Sequence, residues 1–521
     1  MQNSMTLNGI WSLSYTDDFP HHLTAETLPG RFSLPATVPA PIHQVLMDMG
    51  LLDDPRYGLN SLKARWVEEC YWSYRRTISL PADYVPGTPA WLVFDRLEMC
   101  AVVYVNGQEV GRHASAHRPA RFEVSNYLRT DGENTIVVLI DAGLFAVSEI
   151  PGAEYRDSPQ ARLTKIHWYR RGQWQRGWDW QQRLLNVGIL GDVRLEWSDR
   201  PIVEQLKVFA SLSSDLCRAT VIAWVEVLNP TDREVPIRLS IRLPEESEVR
   251  PVELMMVAST ATPGASVHEL KLPIDTPKLW WPIGHGEQPT YLVEVVFSVE
   301  GETQRIQRRT GIRRVEVDQS PHPVEGKFFT LKINNRPIFC KGGNWVPADM
   351  LYSTVTPERY RELVDLAIDA NFNMLRIWGG GIYADEAFLD YCDAKGVLVW
   401  HDLLFACSKY PGDFPEFVQE ARYEVTSAMR EMAHHPSLVV WCGNNEIEEG
   451  DWHWGYDNAY RTHPHYALFH HDLPQIAAEE APHCFYWISS PYSPDYKSPR
   501  DPTVGDQHPW KVSLQMHGGA D

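Results

Sequence analysis

Alternating apolar and polar positions run through the first part of the chain in short stretches separated by turn residues. Ala101-Val102-Val103-Tyr104-Val105 is followed by Asn106-Gly107, a dipeptide that tolerates positive φ and so marks a tight hairpin between such runs. Thr135 to Ile140 and Gly191 to Trp197 read as further strands, and residues 1–198 are expected to form an all-β sandwich of jelly-roll type. A second all-β stretch places Ala219 to Val227 and Ile237 to Leu243 either side of Asn229-Pro230-Thr231-Asp232. The length of residues 199–318 suits an immunoglobulin-like sandwich. Pro273 to Pro289, rich in proline, reads as a loop within it.

Beyond about Gly326 the pattern changes to strand–helix alternation. Thr356-Pro357-Glu358 combines a cap, a proline at the first helical position and an early acid, so a helix should run from there to Ala370. Met374 to Trp378 is the next strand, Asp385 to Lys395 a helix closed by Gly396, and Val397 to Trp400 another strand. Phe414 to His434 reads as helix, Ser437 to Val440 as a buried parallel strand, and Phe485 to Ile488 as the fifth strand of the series. That repeat is the repeat of a (β/α)8 barrel, which takes about 250 residues. Residues 319–521 supply only about 200. The expected fold class is therefore multidomain β plus α/β, with two sandwiches followed by an incomplete (β/α)8 barrel. The chain is expected to be a fragment, prone to aggregate through open strand edges.

Charge narrows the partners. A formal net charge of -20 disfavours nucleic acid and anionic membranes, which call for a basic surface. No run of 18 or more apolar residues is present, so no membrane span is expected. Met1 to Asp18 lacks the basic start and apolar stretch of a secretory signal, and the eight cysteines include no Cys-x-x-Cys pair. A reduced, cytoplasmic protein is the expectation. Gly379-Gly380-Gly381 has neither a P-loop ending nor dinucleotide-fingerprint spacing, so no cofactor is expected. His434-His435 and His470-His471 are neighbours that would not share a helix face, and His463-Pro464-His465 shows no carboxylate or cysteine partner. No metal is expected.

The chemistry concentrates at strand ends. Trp441-Cys442-Gly443-Asn444-Asn445-Glu446 sets a carboxylate at the carboxyl end of a buried parallel strand, where barrel enzymes keep their catalytic groups. Arg376-Ile377-Trp378-Gly379-Gly380-Gly381 ends an earlier strand and Lys341 to Asp349 the one before it. Read from the residues alone, Glu446 could also cap or salt-bridge a helix, since Glu448 and Glu449 follow. Asn445 could be a turn residue bonded to its own backbone. Most of the 20 tryptophans are expected to pack cores.

Together with Asp53 to Gly58, Trp66 to Glu69 and Gly177-Trp178-Asp179-Trp180, these strand ends resemble the β-mannosidases of glycoside hydrolase family 2. The resemblance implies a sugar-binding-like first sandwich. It makes Glu446 the general acid/base and gives Asn445 the hydroxyl at C2. It also implies that the Asp179 loop reaches the barrel mouth to hold distal hydroxyls, although the family's Gly-Pro is replaced here by Gln181-Gln182. Trp378 and Trp454 become candidate apolar walls, and His508, in Gly505 to Trp510, a candidate at the rim. The family's nucleophile, a glutamate at the end of the seventh strand, finds no match before Asp521. The expected activity is removal of terminal non-reducing β-D-mannose from β-mannosides with retention and without a cofactor. The alternatives are another family 2 exo- or endo-β-glycosidase, or a non-catalytic carbohydrate-binding protein.

Overall fold

The structure, a computed structural model, describes residues 3–16, 33–144, 168, 170–244, 252–454 and 465–509. The early alternation resolves into two antiparallel layers. One has six strands, in the order Leu34–Val38, Gly9–Thr16, Tyr71–Ile78, Asn134–Asp141, Cys100–Val105 and Gln108–Ala114; the other has four, Asn3–Thr6, Val193–Trp197, Ala90–Phe94 and Ala120–Glu123. Asn106 and Gly107 both take positive φ, 52° and 81°, and close the Cys100–Val105 hairpin. Trp72, Tyr74 and Val138 from one layer and Leu92, Phe94 and Leu195 from the other form one apolar core.

The second sandwich has three strands, Ile202–Leu212, Arg218–Asn229 and Gly264–Asp275, facing four, Val252–Ala261, Val235–Leu243, Tyr291–Val299 and Glu302–Thr310. The last strand of the three-stranded sheet continues through Asp275, so the proline-rich loop begins later than Pro273. That loop buries Trp280 completely, and its indole nitrogen donates to the carbonyl of Asp393 in the next unit at 2.9 Å.

From Gly342 onward the sheet is parallel. Its strands are β1 (Gly342–Trp345), β2 (Met374–Ile377), β3 (Leu398–Asp402), β4 (Leu438–Cys442) and β5 (Phe485–Trp487), hydrogen-bonded in that order. Helices α1 (Pro357–Asp369), α2 (Glu386–Lys395) and α3 (Pro415–Met432) lie between successive strands. Thr356 caps α1 by accepting from the backbone N–H of Arg359, and Asp385 caps α2 by accepting from that of Ala387, each worth about 1 kcal/mol. Gly396 ends α2 at φ 76°, a conformation glycine adopts without steric cost. Every residue of β4 is buried, as a parallel strand covered on both faces must be. Trp441 packs among the helices, while Val440 and Cys442 join a second cluster with Trp280 and Trp487.

Buried ion pairs lock the first sandwich to the barrel. Arg170 donates from Nη2 and Nε to the two carboxylate oxygens of Glu424 on α3 at 2.6 and 2.8 Å, and to the Leu404 carbonyl at 3.0 Å. Both partners are buried. Close backbone approach reinforces the contact, because a Cβ at Gly172 would lie 2.4 Å from the Gly381 carbonyl oxygen. On the other side Lys207 of the second sandwich meets Glu480 at 2.7 Å, and Arg430 bridges Glu226 and Glu480 at 2.9 Å each.

Candidate active site

After β4 the chain does not turn at once into a helix. Gly443 to Glu446 continue between two neighbouring segments: the N–H of Asn445 donates to the Phe405 carbonyl at 2.9 Å, and that of Glu446 to the Ser490 carbonyl at 2.8 Å. Glu446 then takes φ 61° before helix α4 (Ile447–His453), and Cys407 takes φ 50°. A left-handed non-glycine residue costs about 1 kcal/mol or more and persists only where its surroundings hold it. No side-chain cap bond links Glu446 to α4, so capping does not explain the residue. Its carboxylate is turned elsewhere.

Glu446 is 8% exposed. One carboxylate oxygen, Oε1, lies 2.7 Å from Nδ1 of His508, and the other accepts from the Cys407 thiol at 3.3 Å. The thiol in turn accepts from the Asn445 side-chain amide at 3.2 Å. Burial, with the Glu446 carboxylate beside it, pushes the Cys407 thiol well above its ordinary pKa, so it stays neutral and donates.

The proton order behind His508 follows from donors and acceptors. Asp506 accepts from Trp487 Nε1 at 2.7 Å, from the Tyr492 N–H at 2.9 Å and from the Ser490 hydroxyl at 2.6 Å. Ser490 has one proton and gives it to Asp506, so its oxygen accepts from His508 Nε2 at 3.0 Å. His508 Nδ1 and Glu446 Oε1, 2.7 Å apart, then share one proton.

Arg376, on β2, anchors the other wall. Its guanidinium donates to both oxygens of Asp402 at 2.6 and 3.2 Å, to the side-chain oxygen of Asn445 at 2.9 Å and to that of Asn344 at 3.1 Å. Asp402 also accepts from the Gly379 N–H and from Trp400 Nε1. Burial pushes the Asp402 carboxyl above the ordinary range while Arg376 pulls it back. A cavity of about 650 Å³ opens beside these groups, lined among others by Asn344, Arg376, Trp400, Ser490, Asp506 and His508. Glu446 stands one hydrogen bond behind that lining, reached through His508.

The structure brings most of the sequence-predicted residues together. Asn445 and Glu446 share the thiol of Cys407. Trp378 and Trp454 pack in the apolar cluster that contains Cys407. Trp378 is 7% exposed and is met edge-on by Trp178 and Trp180 at 4.8 and 5.8 Å between ring centroids. The loop of Asp179 therefore does reach the end of β2, but Asp179 itself is exposed and bonds to nothing among the described residues. Trp510 and the pair His463-Pro464 lie outside the described residues.

Two histidine readings need correction. His465 does have a carboxylate partner, Asp451, at 2.9 Å. His434 and His435 are not helical neighbours, because α3 ends at Met432. Sequence reasoning also missed Asp402, Cys407, Ser490 and Asp506. Asp402 carried a usable signal, a carboxylate at the carboxyl end of a buried parallel strand. Cys407 carried none.

The family description "Glycosyl hydrolase 2 galactose-binding domain-like" matches residues 11–191, and "Glycosyl hydrolases family 2" matches residues 202–313. The chain is 34% identical over 495 residues to the β-mannosidase B of Emericella nidulans, covering 91% of this chain and 57% of that one. The chain belongs to glycoside hydrolase family 2. The β-mannosidase B of Thermothelomyces thermophilus is 32% identical over 501 residues, covering 91% of this chain and 55% of that one. The crystal structure of a β-D-mannosidase from Dictyoglomus thermophilum matches with a TM-score of 0.87 at 30% identity, over 100% of this chain and 61% of that one. A β-glucuronidase from Bacteroides uniformis, 18% identical with a TM-score of 0.67 over 93% of this chain and 52% of that one, shares the fold alone. The chain thus spans little more than half the length of the curated relatives it matches.

Proposed function

We propose that the protein to which this chain belongs removes terminal non-reducing β-linked mannose from glycans with retention of configuration, Glu446 acting as general acid and then base. The observation that carries the reading is the 2.7 Å contact between the buried Glu446 carboxylate and His508 at the carboxyl end of β4. In this reading Glu446, holding a proton, passes it to the leaving oxygen as the glycosidic bond breaks. The ionised carboxylate then takes a proton from the water that attacks the sugar–enzyme bond. Asn445, oriented by Arg376, offers an amide to a sugar hydroxyl. Trp378 and Trp454 supply apolar wall, and the Asp179 loop supplies polar contacts at the mouth.

A retaining enzyme also needs a carboxylate roughly 5 Å from the acid to attack the sugar. Asp402 and Asp506, the carboxylates bonded into this site, are each engaged by several donors. The nucleophile in this proposal is instead the seventh-strand glutamate that the family resemblance implies. Names of relatives that are 30–34% identical support mannose over other sugars. All eight cysteines are free, Cys392, Cys407 and Cys442 deep in the barrel, which supports a reducing, cytoplasmic setting.

A panel of aryl β-glycosides tests the reading in a protein that carries the seventh-strand segment. The mannoside should be cleaved fastest, and a glucuronide or glucosaminide cleaved faster would transfer the assignment to another family 2 specificity. Glu446→Gln should lower kcat on the mannoside by about 10²–10⁴-fold. Tight mannose binding without turnover in the wild type would instead make the protein a binding module.

A further inference from the structure

A second cluster of ligating side chains sits away from the candidate active site, where the turn between α3 and β4 packs along α2. Glu386, Asp390 and Asp393 recur at intervals of four and three on α2 and so share one face. His434 and His435 face them. His434 Nε2 lies 3.3 Å and His435 Nε2 3.8 Å from the two oxygens of Glu386. The ligand atoms that these three residues offer all lie within 4.8 Å of one another.

The His435 ring is held from behind. Its Nδ1 meets Asp393 Oδ2 at 2.7 Å, and the other oxygen of Asp393 accepts from the Ser437 N–H at 2.9 Å. His435 is 1% exposed, yet its Nε2 makes no hydrogen bond and has only the 3.8 Å contact with Glu386. A carboxylate on one ring nitrogen with the other aimed at a second imidazole and a carboxylate is the arrangement that orients histidine toward a metal ion.

We propose that Glu386, His434 and His435 bind a zinc-class divalent cation, with Asp393 fixing the His435 ring. Two imidazole nitrogens and a carboxylate suit such an ion. Metal–ligand bonds of about 2.0–2.1 Å in a tetrahedron set ligand atoms roughly 3.4 Å apart, against 3.3 and 3.8 Å from the two imidazoles to the Glu386 oxygens and at most 4.8 Å across the set. Glu386, whose side chain is 59% exposed, has room to adjust. It also lines a polar cavity of about 330 Å³ that Asp385 and Arg96 share, which gives an ion a path from solvent. The bound ion would tie α2 to the turn that begins β4. The inference does not rest on the glycosidase reading.

The test uses the whole chain, freed of metal by chelation and dialysis, titrated with ZnCl2 by calorimetry and with CoCl2 by visible absorption. The expected result is one equivalent taken up per chain, with a tetrahedral cobalt spectrum. Glu386→Gln and His434→Gln should each weaken uptake by at least ~10-fold, while Glu446→Gln should bind like wild type. Neither of the first two removes the Asp393–His435 pair, so both should fold, which circular dichroism checks. No saturable uptake by the wild type, or uptake unchanged in both variants, would overturn the proposal.

Discussion

The second sandwich and the strand ends of the barrel bury similar depths of chain by opposite means. In the sandwich, Arg218–Asn229 buries every second residue, and Val221, Ala223, Val225 and Val227 meet Leu239, Ile241 and Val293 across an apolar core. At the barrel mouth the buried set includes Asp402, Asn444, Asn445, Glu446 and Ser490, and residues 403–411 are buried without being strand or helix. A buried irregular segment must find a partner for each backbone polar group. Here the Cys407 N–H finds the Asn445 carbonyl and the Ala406 N–H the Tyr410 hydroxyl. The sandwich is held by area, where the loss of one methylene is a local matter. The mouth is held by matched pairs, where removing one partner strands the other.

The sharpest way to separate these regimes is to strand a charge. Arg170→Met leaves Glu424 buried without its cation, and the chain should lose about 3–5 kcal/mol in a urea melt. Acid gives the next largest effect. His401 donates from Nδ1 to the Asp402 carbonyl and accepts at Nε2 from the Ala384 N–H; burial lowers its pKa to about 4 and keeps it neutral, while the bond to the Asp402 carbonyl pulls weakly the other way. The folded state binds this proton less readily than the unfolded one, whose pKa is about 6.5. The contribution is therefore complete above pH 6.5 and disappears as the pH falls toward 4, a change of about 3 kcal/mol. His401→Gln should remove that part of the acid sensitivity, measured as the difference in urea midpoint between pH 7 and pH 4.

Within the sandwich, Ile237→Val should cost only about 0.5–1.5 kcal/mol. A loss as large as that of Arg170→Met would break the comparison. Smallest of all should be Arg233→Ala, whose exposed pair with Glu300 contributes under about 0.5 kcal/mol; thermal melts at two salt concentrations would read it.

What could be read in advance divides along the same line. Strands such as Arg218–Asn229 and the α1 cap at Thr356 are written in period and in neighbouring residues. Glu446 was legible because a parallel strand points its last residues at the mouth. Asp402 meets Arg376 across 26 residues, Cys407 meets Glu446 across 39 and Asp506 meets Trp487 across 19, and no local pattern records such meetings. His434 and His435 show a misread boundary rather than a hidden one. Pro436 disfavours helical backbone at the residue before it, and that was enough to place the pair in a turn.

The Arg170–Glu424 pair also imposes an order on synthesis. Its partners are separated by 254 residues, so at about 5–20 residues per second the arginine leaves the ribosome roughly 13 to 50 s before its carboxylate exists. During that interval the first sandwich can fold, but the segment carrying Arg170 has nothing to close on. The nascent chain waits with its docking edge open until α3 emerges, and a chaperone that covers this edge would act in that window.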